Sequence, residues 1–344
     1  MFTFSSLDLP IIVAPMAGGP STPELVAAVA DVGGTGFVPA GYLDATAMTD
    51  KIRATRKLTD RPFGVNLFVP NDDEVDGTAL DAYRATLQPV ADRFGVELPQ
   101  HRHDDEDFAA KIAALQRDPV AFVSFTFGLP DRSVIEPLQA AGIAVGATVT
   151  SLDEARAAAA VGYDFLVVQG PEAGGHRGTH HASTTPDDTP LLPLLAQVVA
   201  EIDLPVIAAG GLIEAPAIAD ALSLADAVQL GTAYLLATEA GTSAIHRAAL
   251  QDQRFTETVT TRCFTGRPAR ALRNTFTTEF TDAPAAYPAV HQITQPLRKA
   301  AAAAGDAHYV HLWAGTGWRA TVSAPAADIT KALWARVAPL VSAD

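Results

Sequence analysis

The sequence predicts an α/β protein built on a (β/α)8 TIM barrel, with an insertion after the third strand and a helical cap after the eighth. Three observations carry this expectation. Eight short apolar runs rich in β-formers alternate with alanine-rich helical segments, the rhythm of a parallel sheet crossed by helices. Several of the runs are apolar throughout, as strands covered on both faces must be, and lack the two-residue alternation of a half-exposed sheet. The length of 344 residues holds one barrel of roughly 250 residues with additions.

The first strand is Ile11 to Met16, ending on Ala17-Gly18-Gly19. Ser21-Thr22-Pro23 opens a helix from Pro23 to Asp31, because proline is well suited to a first helical position, whose N–H has no intrahelical partner. Strands follow at Thr35 to Pro39 and Phe63 to Phe68. From about 70 to 120 the rhythm breaks: the run His101-Arg102-His103-Asp104-Asp105-Glu106-Asp107 lies between helical pieces and reads as an insertion. Strands resume at Ala121 to Phe127 and Ala144 to Thr150. Ser151, with Glu154 three residues on, has the spacing of a capping box for a helix from Leu152 to Val161. The last three strands are Phe165 to Gln169, Pro205 to Ala209 and Ala227 to Gly231. Thr238 to about Trp318 mixes alanine-rich helices with Pro284, Pro288 and Pro296 and is expected to form the cap. A final helix, Pro325 to Ala338, is expected to stop before Pro339 and return to the barrel wall. The division is therefore a barrel over 1–237 including the insertion, a cap or substrate domain over 238–318, and a C-terminal helix within 319–344.

Composition excludes several classes of function. A single cysteine, Cys263, leaves no internal disulfide and no multi-cysteine zinc or iron–sulfur site, which suits a reducing compartment. A net charge of −15 repels a phosphate backbone, and no basic patch offsets it, so no nucleic-acid partner is expected. No basic stretch with an apolar core opens the chain, and no run of about 18 apolar residues follows. The expectation is a cytoplasmic protein without a membrane partner; whether it forms a homo-oligomer is left open by the sequence.

Candidate chemistry gathers at the strand ends. Gln169-Gly170-Pro171-Glu172-Ala173-Gly174-Gly175-His176-Arg177-Gly178 follows the sixth strand, so a histidine stands on a glycine-flanked loop where barrel enzymes keep their reactive groups. A histidine there suits general-base work, and a pKa near neutrality would also let it hold an anion as an imidazolium. His180 and His181 lie nearby, but the glycines argue against the helical spacing that chelation needs, so no metal is expected and both read as ordinary loop histidines. Gly210-Gly211 and Gln229-Leu230-Gly231-Thr232 close the seventh and eighth strands, the usual place for a phosphate held by backbone N–H groups. Pro15-Met16, Asn66 and Gln169 complete the set; an amide in an apolar strand needs a partner, either a flat heterocycle or its own loop. Gly315-Thr316-Gly317-Trp318-Arg319-Ala320 imitates a dinucleotide motif in letters, yet the second strand such a site needs is missing, and no Walker Gly-Lys pair exists.

On these pieces, above all Ala14-Pro15-Met16-Ala17-Gly18, Ser21-Thr22-Pro23-Glu24-Leu25, Gly33-Gly34-Thr35-Gly36, Val65-Asn66-Leu67-Phe68, Gln169 to Gly178 and the two late glycine turns, the sequence resembles the nitronate monooxygenase family, formerly the 2-nitropropane dioxygenases. The likeness runs from Pro10 to about Thr242 and from Pro296 to Gly317. It implies an FMN-binding barrel in which Asn66, Gln169, Gly174, Gly211 and Gln229 through Thr232 contact the flavin, with Gly210 and Pro15-Met16 beside them, and in which His176 is the catalytic residue. The substrates implied are alkyl nitronates or nitroalkanes with O2, giving a carbonyl compound and nitrite. Thr316 stands where many relatives have glutamine. Related barrels imply an alternative, an FMN-dependent reductase passing electrons from NAD(P)H to a quinone or an enoyl thioester. A non-redox barrel enzyme acting on a sugar phosphate, or a protein that holds FMN without turnover, fits the residues less well.

Overall fold

The computed structural model describes residues 2–70 and 76–341. Its strands are β1 (Ile11–Val13), β2 (Thr35–Pro39), β3 (Gly64–Phe68), β4 (Phe122–Thr126), β5 (Ala144–Val149), β6 (Phe165–Gln169), β7 (Gly175–His176), β8 (Val206–Ala209), β9 (Ala227–Leu230), β10 (Thr258–Thr261) and β11 (Ala269–Leu272). Eight of them close a barrel in the order β1-β2-β3-β4-β5-β6-β8-β9, parallel throughout, with Ile12 opposite Gln229 at the closure. The fold class read from the sequence is therefore the one observed.

β2 and β6 match the expectation, and the ends of the other barrel strands differ from it by up to three residues. β1 stops at Val13 because the chain then turns: the Met16 N–H donates to the Ala14 carbonyl at 2.9 Å and to Ser21 Oγ at 3.0 Å. Gly231 leaves β9 to open a 3₁₀ turn, Thr232–Tyr234.

The helices are α1 (Pro23–Ala30), α2 (Ala45–Leu58), α3 (Gly77–Phe94), α4 (Phe108–Arg117), α5 (Arg132–Ala140), α6 (Leu152–Val161), α7 (Leu191–Glu201), α8 (Ala215–Leu222), α9 (Ala244–Gln251), α10 (Thr275–Glu279), α11 (Ala289–Ala303) and α12 (Ala326–Val341). α4 packs between α2 and α5, and α12 between α8 and α1, so these two complete the ring of eight around the barrel. The expected insertion after the third strand thus ends before Phe108, since α4 belongs to the barrel; its beginning includes residues 71–75, which lie outside those described. Its helix α3 instead packs on α11 in the cap. α12 runs through Pro339 where the sequence suggested a stop, because a proline in the last turn removes only one bond from a helix that is ending anyway. Among the described residues no helix is long and apolar enough to cross a membrane.

The barrel interior is filled by paired choices of large and absent side chains. A Cβ on Gly64 would lie 2.2 Å from the Phe122 ring, and one on Gly146 2.2 Å from the Phe165 ring, so each glycine makes room for a phenylalanine. Phe2 and Phe4 close the lower end, Phe2 stacked on Phe122 at 4.8 Å and Phe4 edge-on to Phe165 at 4.9 Å. Asp164 and Asp226 accept an N–H at the start of a neighbouring strand, from Val145, the second residue of β5, and Val206, the first of β8, each at 2.8 Å.

The cap is not all helical. β10 and β11 pair antiparallel, and β11 pairs with β7, Ala269 opposite His176. One strand of the cap therefore fixes the loop that the sequence singled out.

Candidate active site

Between the carboxyl ends of the barrel strands and the cap lies a cavity of about 490 Å³. Its barrel side is lined by Pro15 and Met16 beyond β1, Asn66 on β3 and Gln169 on β6. Gly174 and His176 reach it from the loop after β6. Gly210 and Gly211 beyond β8, with Gln229, Gly231 and Thr232 at the end of β9, complete that side. Leu230, also a candidate, does not line it: the period of two turns its side chain outward into the core between strands and helices, where it is 1% exposed.

The polar side chains around this space are unequally satisfied. Asn66 donates from Nδ2 to Ser124 Oγ at 2.9 Å and Thr126 Oγ1 at 3.0 Å, but its Oδ1 is buried without a partner. Gln229 Oε1 and His246 Nε2 are likewise buried without partners, and both residues line the cavity. A buried polar atom left unmade costs ~1–3 kcal/mol, so these positions favour a polar ligand. Gln169 is different: Nε2 donates to the His176 carbonyl at 2.9 Å and Oε1 accepts from the Gly178 N–H at 2.8 Å. Its first duty is to hold its own loop, the plainer of the two readings its sequence context allowed.

His176 is set by three elements. β11 fixes its backbone, its ring Nε2 lies 2.9 Å from Thr265 Oγ1, and Phe127, Tyr287 and Trp313 surround the ring at centroid distances of 5.5, 6.1 and 5.4 Å. Part of its surface stays open to the cavity. Burial, helped by the positive fields of Arg267 and Arg298, pushes its pKa down to about 3. The sequence suggested a ring titrating near neutrality; in these surroundings the imidazole is instead uncharged at neutral pH.

Three arginines clamp the rest of the loop through backbone carbonyls. Arg177 Nη1 donates to Gln169 at 2.8 Å, Arg267 Nη1 to Thr179 at 2.8 Å and Arg262 Nη2 to Thr184 at 3.0 Å. Glu154 adds to the same hold. Ser151 caps α6 as expected, accepting from the Glu154 N–H at 3.2 Å, but the carboxylate takes the Thr150 N–H at 2.6 Å and the His180 N–H at 2.9 Å instead of closing the box. His180 is thereby structural, its ring Nε2 3.1 Å from the Thr148 carbonyl. Among the described residues no group of three or more His, Cys, Asp or Glu could hold a metal ion.

The Gly315-Thr316-Gly317 turn also has a packing role. The Gly315 N–H donates to Thr232 Oγ1 at 3.0 Å, and a Cβ on Gly174 would lie 2.5 Å from the Gly315 nitrogen. Gly315 and Gly317 line the cavity, whereas Thr316 is exposed and does not.

Sequence reasoning missed Tyr42 in the loop after β2 and, on the cap side of the cavity, Thr265, His291, Arg298, His311 and Trp313. Only Thr265 and His291 lie between about 242 and 295, where the sequence resembles nothing recognisable; Arg298, His311 and Trp313 lie in 296–317, where the resemblance resumes but points to the glycine turn and not to them. Arg298 is buried among neutral groups, and His291 and His311 are held well below their ordinary pKa by burial and its charge. Among the described residues that line the cavity there is no Asp or Glu, although the chain has 39 of them.

Comparison with known proteins gives a consistent result. The nitronate monooxygenase family model matches residues 4–335. A Staphylococcus saprophyticus protein described as a probable nitronate monooxygenase is 40% identical over 318 residues, covering 90% of this chain and 89% of the relative. A Staphylococcus aureus protein of the same description is 37% identical over 333 residues, covering 94% and 93%. Among solved structures, nitroalkane oxidase from Streptomyces ansochromogenes superposes with a TM-score of 0.95 at 47% identity, covering 99% of each chain. FabK from Thermotoga maritima shares the fold at a TM-score of 0.75 and 24% identity, covering 98% of this chain and 96% of that one.

Proposed function

The chain belongs to the nitronate monooxygenase family and is an oxidoreductase, and from that premise we propose that it oxidises alkyl nitronates with O2, using FMN held in the cavity at the barrel mouth, to give a carbonyl compound and nitrite. The observation that carries this reading is a cavity whose barrel side presents buried, unpartnered acceptors beside an uncharged imidazole. Asn66 Oδ1 and Gln229 Oε1 suit the N–H edge of a flat heterocycle. Gly210 and Gly211, at φ +124° and +68°, with Gly231 and Thr232, form open backbone turns that suit a phosphate. Pro15, Met16, Gln169 and Gly174 would hold the ring, Gln169 with the donor and acceptor capacity that its own loop leaves over. When bound, FMN supplies the electron acceptance and the reaction with O2.

The protein's share is to bind, orient and move a proton. In the tautomer with the hydrogen of His176 on Nε2 and directed to Thr265 Oγ1, Nδ1 carries the lone pair that would take the acidic C–H proton of a neutral nitroalkane; a preformed nitronate has already lost it. A base held so far below neutrality is poorly matched to abstracting a C–H proton, because general-base efficiency peaks when the pKa lies near the working pH. The preformed nitronate is therefore the better substrate and the neutral nitroalkane the slower one. The aromatic collar of Phe127, Tyr287 and Trp313 excludes water from that face.

Assaying the purified, FMN-loaded protein for nitrite release and O2 uptake with propionate 3-nitronate tests the reading, with NADH consumption against a quinone under anaerobic conditions as the counter-assay. Nitrite released in step with substrate supports it. Rapid NADH oxidation without nitrite release would assign the barrel to reductase chemistry instead.

A further inference from the structure

Arg298, on α11, is 5% exposed, and its guanidinium reaches the cavity from the cap. Nε donates to Thr294 Oγ1 at 3.1 Å, Nη1 to His311 Nδ1 at 3.1 Å, and Nη2 to His291 Nδ1 at 3.2 Å and the His291 carbonyl at 3.1 Å. Every acceptor is neutral. The imidazoles point lone pairs at the cation, and the hydroxyl is itself anchored by donating to the Phe264 carbonyl at 2.6 Å. Among the described residues no carboxylate pairs with this guanidinium, and none lines the cavity it faces. The remaining groups that face the cation, Tyr42, Tyr83 and Cys263, are acids that burial keeps protonated.

A buried cation without a counter-charge is costly. Four of its five N–H groups are spent on fixing its plane, which leaves one on Nη1 without an assigned acceptor. That is the arrangement of a pre-oriented donor awaiting an anion, since a fixed fork loses little entropy on binding. His176 cannot supply the charge, being neutral; Lys299, the next residue, is exposed at the mouth.

We propose that Arg298, braced by His291 and His311, is the cation that binds the substrate's nitronate group, so that the site selects the planar nitronate anion over the uncharged nitroalkane. The assignment rests on the function proposed above, and its test is built to fail separately from it. Nitrate, a planar oxygen-bearing monoanion, is titrated calorimetrically into the purified full-length protein and its Arg298→Gln and Arg298→Lys variants, with uncharged nitromethane as control and flavin content measured alongside. The expected result is nitrate binding at least tenfold tighter than nitromethane in the unaltered protein, lost at least tenfold in Arg298→Gln and partly kept in Arg298→Lys. In turnover, kcat/KM for ethyl nitronate should fall at least tenfold more than that for nitroethane. Equal affinity for nitrate and nitromethane in the unaltered protein overturns the proposal even if neither variant folds. So does unchanged nitrate affinity in a folded Arg298→Gln protein, including one that has merely lost its flavin. Arg298-dependent nitrate binding without nitrite release would keep the anion site and retire the reaction; nitrite release with Arg298-independent nitrate binding would do the reverse.

Discussion

Burial and two nearby guanidinium groups keep the His176 ring unprotonated at neutral pH, so nitronate turnover should show no inflection near 6.5, the value of an exposed histidine. A kcat/KM profile flat from about pH 5.5 to 8 is expected, and a limb titrating near 6.5 would mean the ring is more basic than its surroundings imply. Replacing the ring, His176→Asn, should leave FMN bound while the already slow nitroalkane turnover falls by about 10²-fold, the low end for general-base catalysis because the ring's pKa is so far below the working pH; full turnover with flavin retained would remove the imidazole from the chemistry. Thr265 acts through that ring. Thr265→Val keeps the shape but removes the oxygen 2.9 Å from Nε2, so kcat should fall roughly five- to tenfold, in line with ~1–1.5 kcal/mol for one hydrogen bond. Thr265→Ser should restore it, and a shift in the pH profile of the valine variant would separate positioning from general damage. Asn66 and Gln169 were legible as candidates because an amide in an apolar strand is conspicuous. Thr265, His291, Arg298 and His311 were not, since only the folded cap brings them to the barrel mouth and no local pattern marks them.

The barrel strands were readable because burial on both faces leaves a plain apolar run, and their ends were not, because a turn such as that at Met16 is set by contacts with Ser21. The cap was misread as helical because β10 and β11 are only four residues each, too short for any period to show, and they are held by pairing with each other and with β7. Inside the barrel, side-chain volume on one strand answers an absence on the next. Gly146→Ala places a methyl 2.2 Å from the Phe165 ring, where Phe4 and the strand wall prevent retreat, so the variant should lose ~1–3 kcal/mol in chemical denaturation. Phe165→Leu alone should also destabilise by opening a void. Combined with Gly146→Ala it should recover part of the loss, and strictly additive losses would show that the two positions do not share the space.

At the scale of the molecule, the cavity that joins barrel to cap couples folding to protons. His176, His246, His291 and His311 line it, and burial pushes each below its ordinary value, His176 to about 3 and His246 to about 4. In the unfolded chain each titrates near 6.5. Between the folded and unfolded values the unfolded state binds more protons, so stability rises with pH in that window and is lost as pH falls below about 6.5. Glu106 works the other way. Burial, opposed by Lys111 at 3.6 Å, raises its pKa from 4.5 to about 7, so its contribution is fully present below 4.5 and lost as pH rises through 7. At pH 5 the imidazoles take up protons on unfolding while the Glu106 carboxyl releases part of one, so unfolding is accompanied by net proton uptake. The midpoint of thermal unfolding should therefore drop steadily between about pH 7 and 5, and less steeply in a His246→Gln variant, which removes one of the four. A midpoint that holds level or climbs as the solution is acidified would mean that water reaches these rings in the folded protein, and that the low-polarity pocket on which both His176 and Arg298 depend does not exist.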